Sequence, residues 1–366
     1  MSRFAPFRVK LWSIHPTHRG RLSLKAIIND AADVGVSKYA NEAGEMFFTL
    51  PINHPQINEC LPMLRHYEVS RFDIISNSYS VVGKGLLEDM DATKDEVVLY
   101  GIDYLGLFTK NITNNNSSYT SKLIGEIIDS GFTSLQSETD SVYAFLTKGT
   151  IHPSTRSVTV VTSFEERLSF WRGLLEILQG SGSTRPLMDV NRDDPPVFSF
   201  QPNPGSDKKE LPLRLDGAIL DFRWRQGFYK LATLNNAFGV KREGASVLYS
   251  SQSYGSMSTY GRIYMSGYWT DLINQAELDS RTLAALREVY DAPDELFVSL
   301  AQGYLTPFGG GTLAPTTTWD LADSIPVKIS RGPINIDKMF TIWGFEWIGR
   351  KNGSESLFLD LRPKRL

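Results

Sequence analysis

The residues able to carry chemistry in this chain are few, and they are poorly matched to one another. His15 and His18 flank Pro16 closely enough to share a metal ion, but a zinc site takes four ligands. The other three histidines, His54, His66 and His152, are scattered, so solvated turn residues are the expectation for the close pair. Asp189-x-Asn191-x-Asp193 opens like a calcium loop. Its sixth position, however, is Asp194 where glycine makes the sharp turn, and its twelfth is Phe200 where a bidentate glutamate closes the site. An acidic turn before Pro195-Pro196 is the better reading.

The nucleophile and phosphate signatures fail in the same way. Cys60 has His54 and His66 near it in sequence but no surrounding signature, and no Gly-x-Ser-x-Gly elbow occurs. An inert thiol is expected. Gly309-Gly310-Gly311 lacks the Lys-Ser or Lys-Thr that completes a phosphate cradle, so it reads as a loop tip. Glu88-Asp89 and Asp193-Asp194 are paired carboxylates, but glycoside cleavage needs two such groups about 5–10 Å apart across a cleft, and solvated turns account for both. Trp224, Trp269, Trp319, Trp343 and Trp347 could line a sugar site; their positions on strand-like runs fit a core or a subunit interface better. No catalytic, cofactor-binding or metal-binding residue is assigned, and no cofactor is expected.

The totals leave room for assembly rather than chemistry. At roughly 150 residues per domain, 366 residues make two or three domains. The chain is 41% hydrophobic and 22% charged, the composition of ordinary folded domains. Its net charge of −3 creates no field that favours nucleic acid, and the one basic cluster is Arg362 to Arg365. A lone cysteine builds neither an internal disulfide nor a thiolate metal cage. Met1 to Pro16 mixes Arg3, Arg8 and Lys10 into its apolar residues, unlike a secretion signal, and no window of about 18 apolar residues predicts a membrane helix.

The elements that must position these residues are mostly strands. Alternation predicts strands over Phe7 to Ile14 and Leu22 to Ile28, another over Glu45 to Leu50, and a connecting arm over His54 to Leu64. A meander follows in Tyr67 to Ser76, Tyr79 to Leu87 and Glu96 to Ile102. Between Asp103 and Gly182 the period turns helical, at Leu123, Ile124, Ile127 and Ile128 and again from Leu168 to Leu178, with a strand at Ser157 to Val161 between them. Gly180 to Thr184 reads as a linker. Short β-like runs return from Pro186 to Tyr268, including Val197 to Phe200 and Ala218 to Arg225, with a turn at Pro202 to Gly205. A helix is expected over about Leu278 to Tyr290. Strands then run to the end, with Asn352-Gly353 as a hairpin turn between Phe340 to Gly349 and Glu355 to Leu361.

The two ends of the chain suggest one motif used twice. Val69, Val82, Gly85 and Val98 recur at similar spacing as Val327, Ile342, Gly344 and Phe358. A plain meander also repeats a strand about every 8–12 residues, so spacing leaves duplication and coincidence both open.

A resemblance adds to this reading. Gly44-Glu45-Met46-Phe47-Phe48-Thr49-Leu50-Pro51, Glu68-Val69, Val82-Gly83-Lys84-Gly85 and the close Gly101-Ile102-Asp103-Tyr104-Leu105 follow the order seen in minor tail proteins of siphophages. Near the other end, Trp319-Asp320-Leu321-Ala322-Asp323 resembles a Trp-Asp-Leu-Gly-Asp strand entry of that family, with Ala322 in place of the glycine. The resemblance covers the two ends well and the middle in general shape.

It implies an α+β, mainly β chain: two tail-tube-like β-barrel or sandwich domains over 1–105 and 271–366, a small α/β insertion over 106–184 and a β-rich insertion over 185–270. It implies a structural hub of a phage tail tip, resident in the virion after synthesis in the host cytoplasm. Three copies would form a pseudo-hexameric ring, touching the distal tail protein, the tail tube, the tape measure and the spike or fibre proteins. DNA would meet it only in passage. Ring contacts of this kind are heterologous, and edge strands are natural places for them. Two other readings stay open: a tail-associated enzyme that cuts cell wall, which needs a compact catalytic domain, and a carbohydrate-binding adhesin, which would use surface tryptophans.

Overall fold

The computed structural model describes residues 7–14, 22–73, 77–113, 117–137, 143–154, 156–162, 164–180, 186–202, 204–209, 212–226, 234–240, 247–253, 262–269, 275–289, 294–300 and 319–363. The expected linker lies outside them apart from Gly180.

The first part is all strand: β1 (Phe7–Ile14), β2 (Leu22–Ile28), β3 (Asp33–Tyr39), β4 (Glu45–Pro51), β5 (His66–Asp73), β6 (Ser78–Ala92) and β7 (Glu96–Asp103). The alternation read from sequence has its cause in burial. Phe7, Val9 and Leu11 of β1, Met46, Phe48 and Leu50 of β4, and Val97 and Leu99 of β7 all point into one core. Burying each such side chain fully is worth about 1.5–3 kcal/mol. The strand β3 was not anticipated.

The chain then leaves through a 3-10 turn, Gly106–Lys110, into β8 (Ser118–Leu123), α1 (Ile124–Ser137), β9 (Thr147–Ile151), β10 (Ser157–Val161), α2 (Arg167–Gly180), β11 (Leu187–Val190) and β12 (Val197–Gln201). Here the apolar positions recur at helical spacing. Ile124, Ile127, Ile128, Phe132 and Leu135 of α1 and Leu168, Trp171, Leu174, Leu175 and Leu178 of α2 bury one face each in a second core, centred on Phe108, Phe132 and Phe198.

The chain next returns to the first core with β13 (Leu213–Arg214) and β14 (Ile219–Gln226). It departs again for β15 (Leu234–Val240), β16 (Val247–Ser253), β17 (Tyr264–Trp269) and α3 (Gln275–Val289). It closes with β18 (Asp294–Leu300), β19 (Ser324–Arg331), β20 (Ile334–Arg350) and β21 (Glu355–Pro363). The last hairpin turns where expected, Gly353 being left-handed (φ 81) with its amide donating to Arg350 O (2.9 Å).

These pieces make a mainly β chain dominated by one 13-stranded sheet, whose main path runs β14-β18-β21-β20-β3-β4-β7-β6-β5-β1-β2, with β19 on β20 and β13 on β19. The path contains one strand order twice. The first part runs β1-β5-β6-β7-β4-β3 and the second β13-β19-β20-β21-β18-β14. Even the irregularities coincide. Glu88 is the extra residue where β6 passes β7, and Trp343 is the extra residue where β20 passes β21. Aligned on these bulges, Val69 falls on Val327 and Val98 on Phe358, as the sequence comparison has them. The middle strand falls differently: Leu87 matches Ile342, Gly85 matches Phe340, and Gly344 matches Asp89.

Candidate assembly interface

The two repeats meet along β3 and the second half of β20. On the edge away from β21, residues 334–341 of β20 pair with β19, and residues 344–350 pair antiparallel with β3, from Gly344 opposite Tyr39 to Arg350 opposite Asp33. The joint is tight because glycine allows it. A Cβ on Gly344 would lie 2.2 Å from the Tyr39 ring, and one on Gly35 would lie 2.1 Å from the ring of Phe47. Behind the joint Val34, Val36, Phe345 and Trp347 are buried. Trp347 Nε1 donates to Glu355 (3.3 Å), Glu355 accepts from Arg71 (2.6 Å), and the Arg71 guanidinium lies over the Trp347 ring. Residues from both ends of the chain thus share one buried, paired charge site.

The middle of the chain docks beside this joint. Asn41, left-handed at φ 60, donates to Pro186 O (2.9 Å) and accepts the Met188 amide (2.7 Å). Buried Lys38 pairs with Asp189 (2.5 Å) and donates to Val190 O (3.2 Å). Asp103 caps the turn that leaves β7 by accepting the Gly106 amide (2.8 Å). Burial pushes its carboxyl up to about 6, against the opposing pull of Lys38 and the Gly106 amide. This gives the Gly-x-Asp-Tyr close a structural meaning: Asp103 starts the turn, and Tyr104 packs inward against His66 and Phe145. Gly85 and Gly101 leave room for Tyr67, whose ring a Cβ at either position would meet at 2.7 Å or less.

The candidate chemical residues are dispersed. His15, His18 and Gly309 to Gly311 lie outside the described residues. His54, buried, meets Asp30 at 3.1 Å and receives the Gln56 amide on Nδ1. His66 sits between Tyr104 and Phe145, and burial lowers it to about 4. His152 is exposed and accepts the Ser154 amide. Among the described residues no three His, Cys, Asp or Glu side chains gather as metal ligands. In the acidic turn, Asn191 accepts the amides of Asp193 (3.2 Å) and Val197 (2.8 Å), while Asp189 turns to Lys38. Asn191 therefore organises the backbone between β11 and β12, and Lys84 ties it to β6 by donating to Asp193 O (2.9 Å).

Cys60 is buried, its thiol directed at Gln56 O and pushed up to about 12 by burial, far from a ready thiolate. Glu88 pairs with Lys110 (2.7 Å), and its neighbour Asp89 is exposed. Trp319 and Trp347 are core residues. Trp343 stacks with Arg362 and Trp269 with Arg281. Trp224 is half-buried on the sheet edge β14. A small hollow between Trp12, Tyr67, Glu68, Lys84, Tyr104 and Asp194 holds a compensated charge cluster: Glu68 is met by Lys10 at 2.6 Å and by Lys84 at 3.4 Å.

Sequence reasoning missed β3 and with it the joint. The signal present was the pair Val34 and Val36, separated by Gly35, which weakens any strand reading.

No protein-family model matches the chain, and no curated protein matches it by sequence. Solved structures do match. The 43 kDa tail protein of prophage MuSo2 from Shewanella oneidensis superposes with a TM-score of 0.61 at 11% identity, covering 97% of this chain and 98% of that one. A tail protein from Neisseria meningitidis MC58 gives 0.58 at 12% identity, over 97% and 96%. The Escherichia coli c3393 protein, a type VI secretion component described as structurally similar to the T4 phage tail proteins gp27 and gp5, gives 0.51 at 10% identity, over 92% and 74%. Nearly end to end, this chain has the fold of phage tail proteins.

Proposed function

We propose that this chain is the central hub of a phage tail tip. Three copies form a pseudo-six-fold ring that joins the tail tube to the distal spike or fibre proteins and encloses the channel through which DNA leaves. The observation that carries the reading is the repeated strand order. A chain holding two similar β units presents six of them when trimeric, which suits a six-fold tube above and a three-fold tip below. The likeness to tail proteins over almost the whole chain supports the same reading.

In this reading the tube-like units are 1–105 and 271–366, the second drawing β13 and β14 from the 185–270 stretch. The α/β unit over 106–184 and the remainder of 185–270 form the outer body of the ring. The buried charges serve packing: Lys38, Arg71 and Glu68 all have partners within the fold.

Imaging of intact particles tests this directly. A three-fold density at the tip that accommodates the 13-stranded sheet is the expected result. A purified chain that stays monomeric and binds glycans would exclude the hub, and clearing of cell-wall material in a zymogram would move the reading to a lysin.

A further inference from the structure

A half-covered sheet normally keeps its aromatic residues inside and its charges outside. The three-stranded sheet β16-β15-β17 departs from both habits. Its inner face, closed by α3, buries small and polar side chains: Asn235, Ala237 and Ser250 lie there, and Asn235 donates to Thr282 O (2.9 Å). Tyr264 and Tyr268 of β17 point the other way and are 59% and 65% exposed.

We propose that this outer face binds a neutral oligosaccharide, lying along β17 with sugar rings on Tyr264 and Tyr268 and hydroxyls met by Asn236 and Ser266. The site is additional to the hub role and does not depend on it.

The register lays the face out in rungs. Asn236 stands between Ser251 of β16 and Ser266 of β17. Ser251 Oγ donates to Asn236 Oδ1 (3.0 Å), which orients the amide at the surface. Tyr264 and Tyr268 flank this polar rung, four residues and so about 13 Å apart along one strand. A sugar ring offers an apolar face of C–H groups and a rim of hydroxyls. The negative face of an aromatic ring takes the first, and amide and hydroxyl side chains take the second. Tyrosine supplies such contact area at little cost in side-chain freedom.

Charge and size together name the occupant. The strands β15, β16 and β17 contain no Asp, Glu, Lys, Arg or His, in a chain that is 22% charged. An anionic polymer would find no countercharge on them, and a charged protein surface would gain no steering. Three strands about 4.8 Å apart and about 20 Å long offer roughly 200–300 Å², against about 800 Å² per partner in a stable protein contact. The strip is too small for a folded partner and is shaped for an extended, uncharged chain.

Calorimetric titration of the full chain with cellohexaose, maltohexaose, laminarihexaose and chitohexaose tests this, with hexagalacturonate as the charged control. At least one neutral probe should bind, and the control should bind about ten-fold more weakly or worse. Tyr264→Ala and Tyr268→Ala should each weaken binding by about five-fold or more, and together abolish it. Tyr268→Phe keeps the ring and should stay within about two-fold of wild type. Both positions being exposed, every variant should unfold at the wild-type midpoint. Binding of none of the four neutral probes, or binding that survives the double variant, overturns the proposal. So does a change in sedimentation of the double variant without sugar, which would make the face a protein contact. The hub reading is decided separately, by the density at the tail tip.

Discussion

Met63 and Ala322 occupy the same station in the two repeats. Both are left-handed, with φ 60 and 70, and each donates its amide to the residue preceding the bulge of a long strand, Met63 to Leu87 O (2.7 Å) and Ala322 to Ile342 O (2.9 Å). Ala322 stands where the resembled tail-protein pattern has glycine, and the backbone gives the reason: that residue must turn left-handed to lead into β19. An L-residue there costs about 1–2 kcal/mol of backbone strain, partly offset by the larger entropy glycine loses on folding. Met63→Gly should therefore raise stability by up to about 1 kcal/mol, Met63 being exposed. Ala322→Gly should gain somewhat less, because it also removes a buried methyl. Ala322→Val should lose stability. Urea unfolding midpoints decide the matter, and a loss in Met63→Gly would contradict the strain argument.

Trp347 is the residue through which both ends of the chain hold each other. It is fully buried, packs edge-on against Phe7 at 6.3 Å, and shares Glu355 with Arg71. Trp347→Ala removes this packing and one donor to Glu355, and should cost about 3–5 kcal/mol. Trp224→Ala on β14 should cost clearly less, since that ring is only half-covered. Equal losses in thermal unfolding would contradict this difference in burial.

Acid should act through His66. Burial holds its folded value at about 4 against an ordinary 6.5, so below 6.5 the unfolded chain binds a proton that the folded chain refuses. Its contribution is fully present above 6.5 and is lost as pH falls toward 4, to the extent of roughly 3 kcal/mol. Asp103 works in the opposite direction: raised to about 6, it favours the folded state below the ordinary carboxylate value and loses that advantage as pH rises through 6. His66→Phe keeps the aromatic contacts and removes the titration. The stability difference between wild type and variant, from urea unfolding at several pH values, should shrink as pH falls from 7 to 4. A pH-independent difference would rule the assignment out.

Much of the sheet was readable because burial alternates where the sequence alternates. β1, β4, β7 and β21 each bury the apolar residues of one face in the core, and the hairpin at Gly353 needs only its own glycine. The repeat was readable at Val69 and Val327 and at Val98 and Phe358, but the central strand was placed wrongly by matching Gly85 with Gly344. A bulge adds a residue without changing the residue types around it, so period-two reasoning loses register at Glu88 and Trp343. β3 escaped for a different reason. Its partner β20 lies at the other end of the chain, and its glycine and serine make sense only once Phe47 is seen packed over Gly35.

Asn41 isolates what holds the α/β part to the tube-like sheet. Its side chain bonds both ways with the 186–188 backbone, donating to Pro186 O and accepting from Met188, and it is left-handed. Asn41→Ala loses both buried hydrogen bonds, at about 0.5–1.5 kcal/mol each, and also places an ordinary side chain at positive φ. Asn41→Gly loses the same bonds but accepts the backbone. The alanine variant should therefore be the less stable of the two by up to about 1 kcal/mol, and the glycine variant should still fall below wild type by about 1–3 kcal/mol. Amide exchange adds the spatial reading: in both variants the Met188 amide should exchange faster, while those of Phe48 and Leu99 in the sheet core should change only with global stability. Unchanged protection at Met188 in either variant would mean that the α/β part is held by Lys38 and Asp189 without help from Asn41.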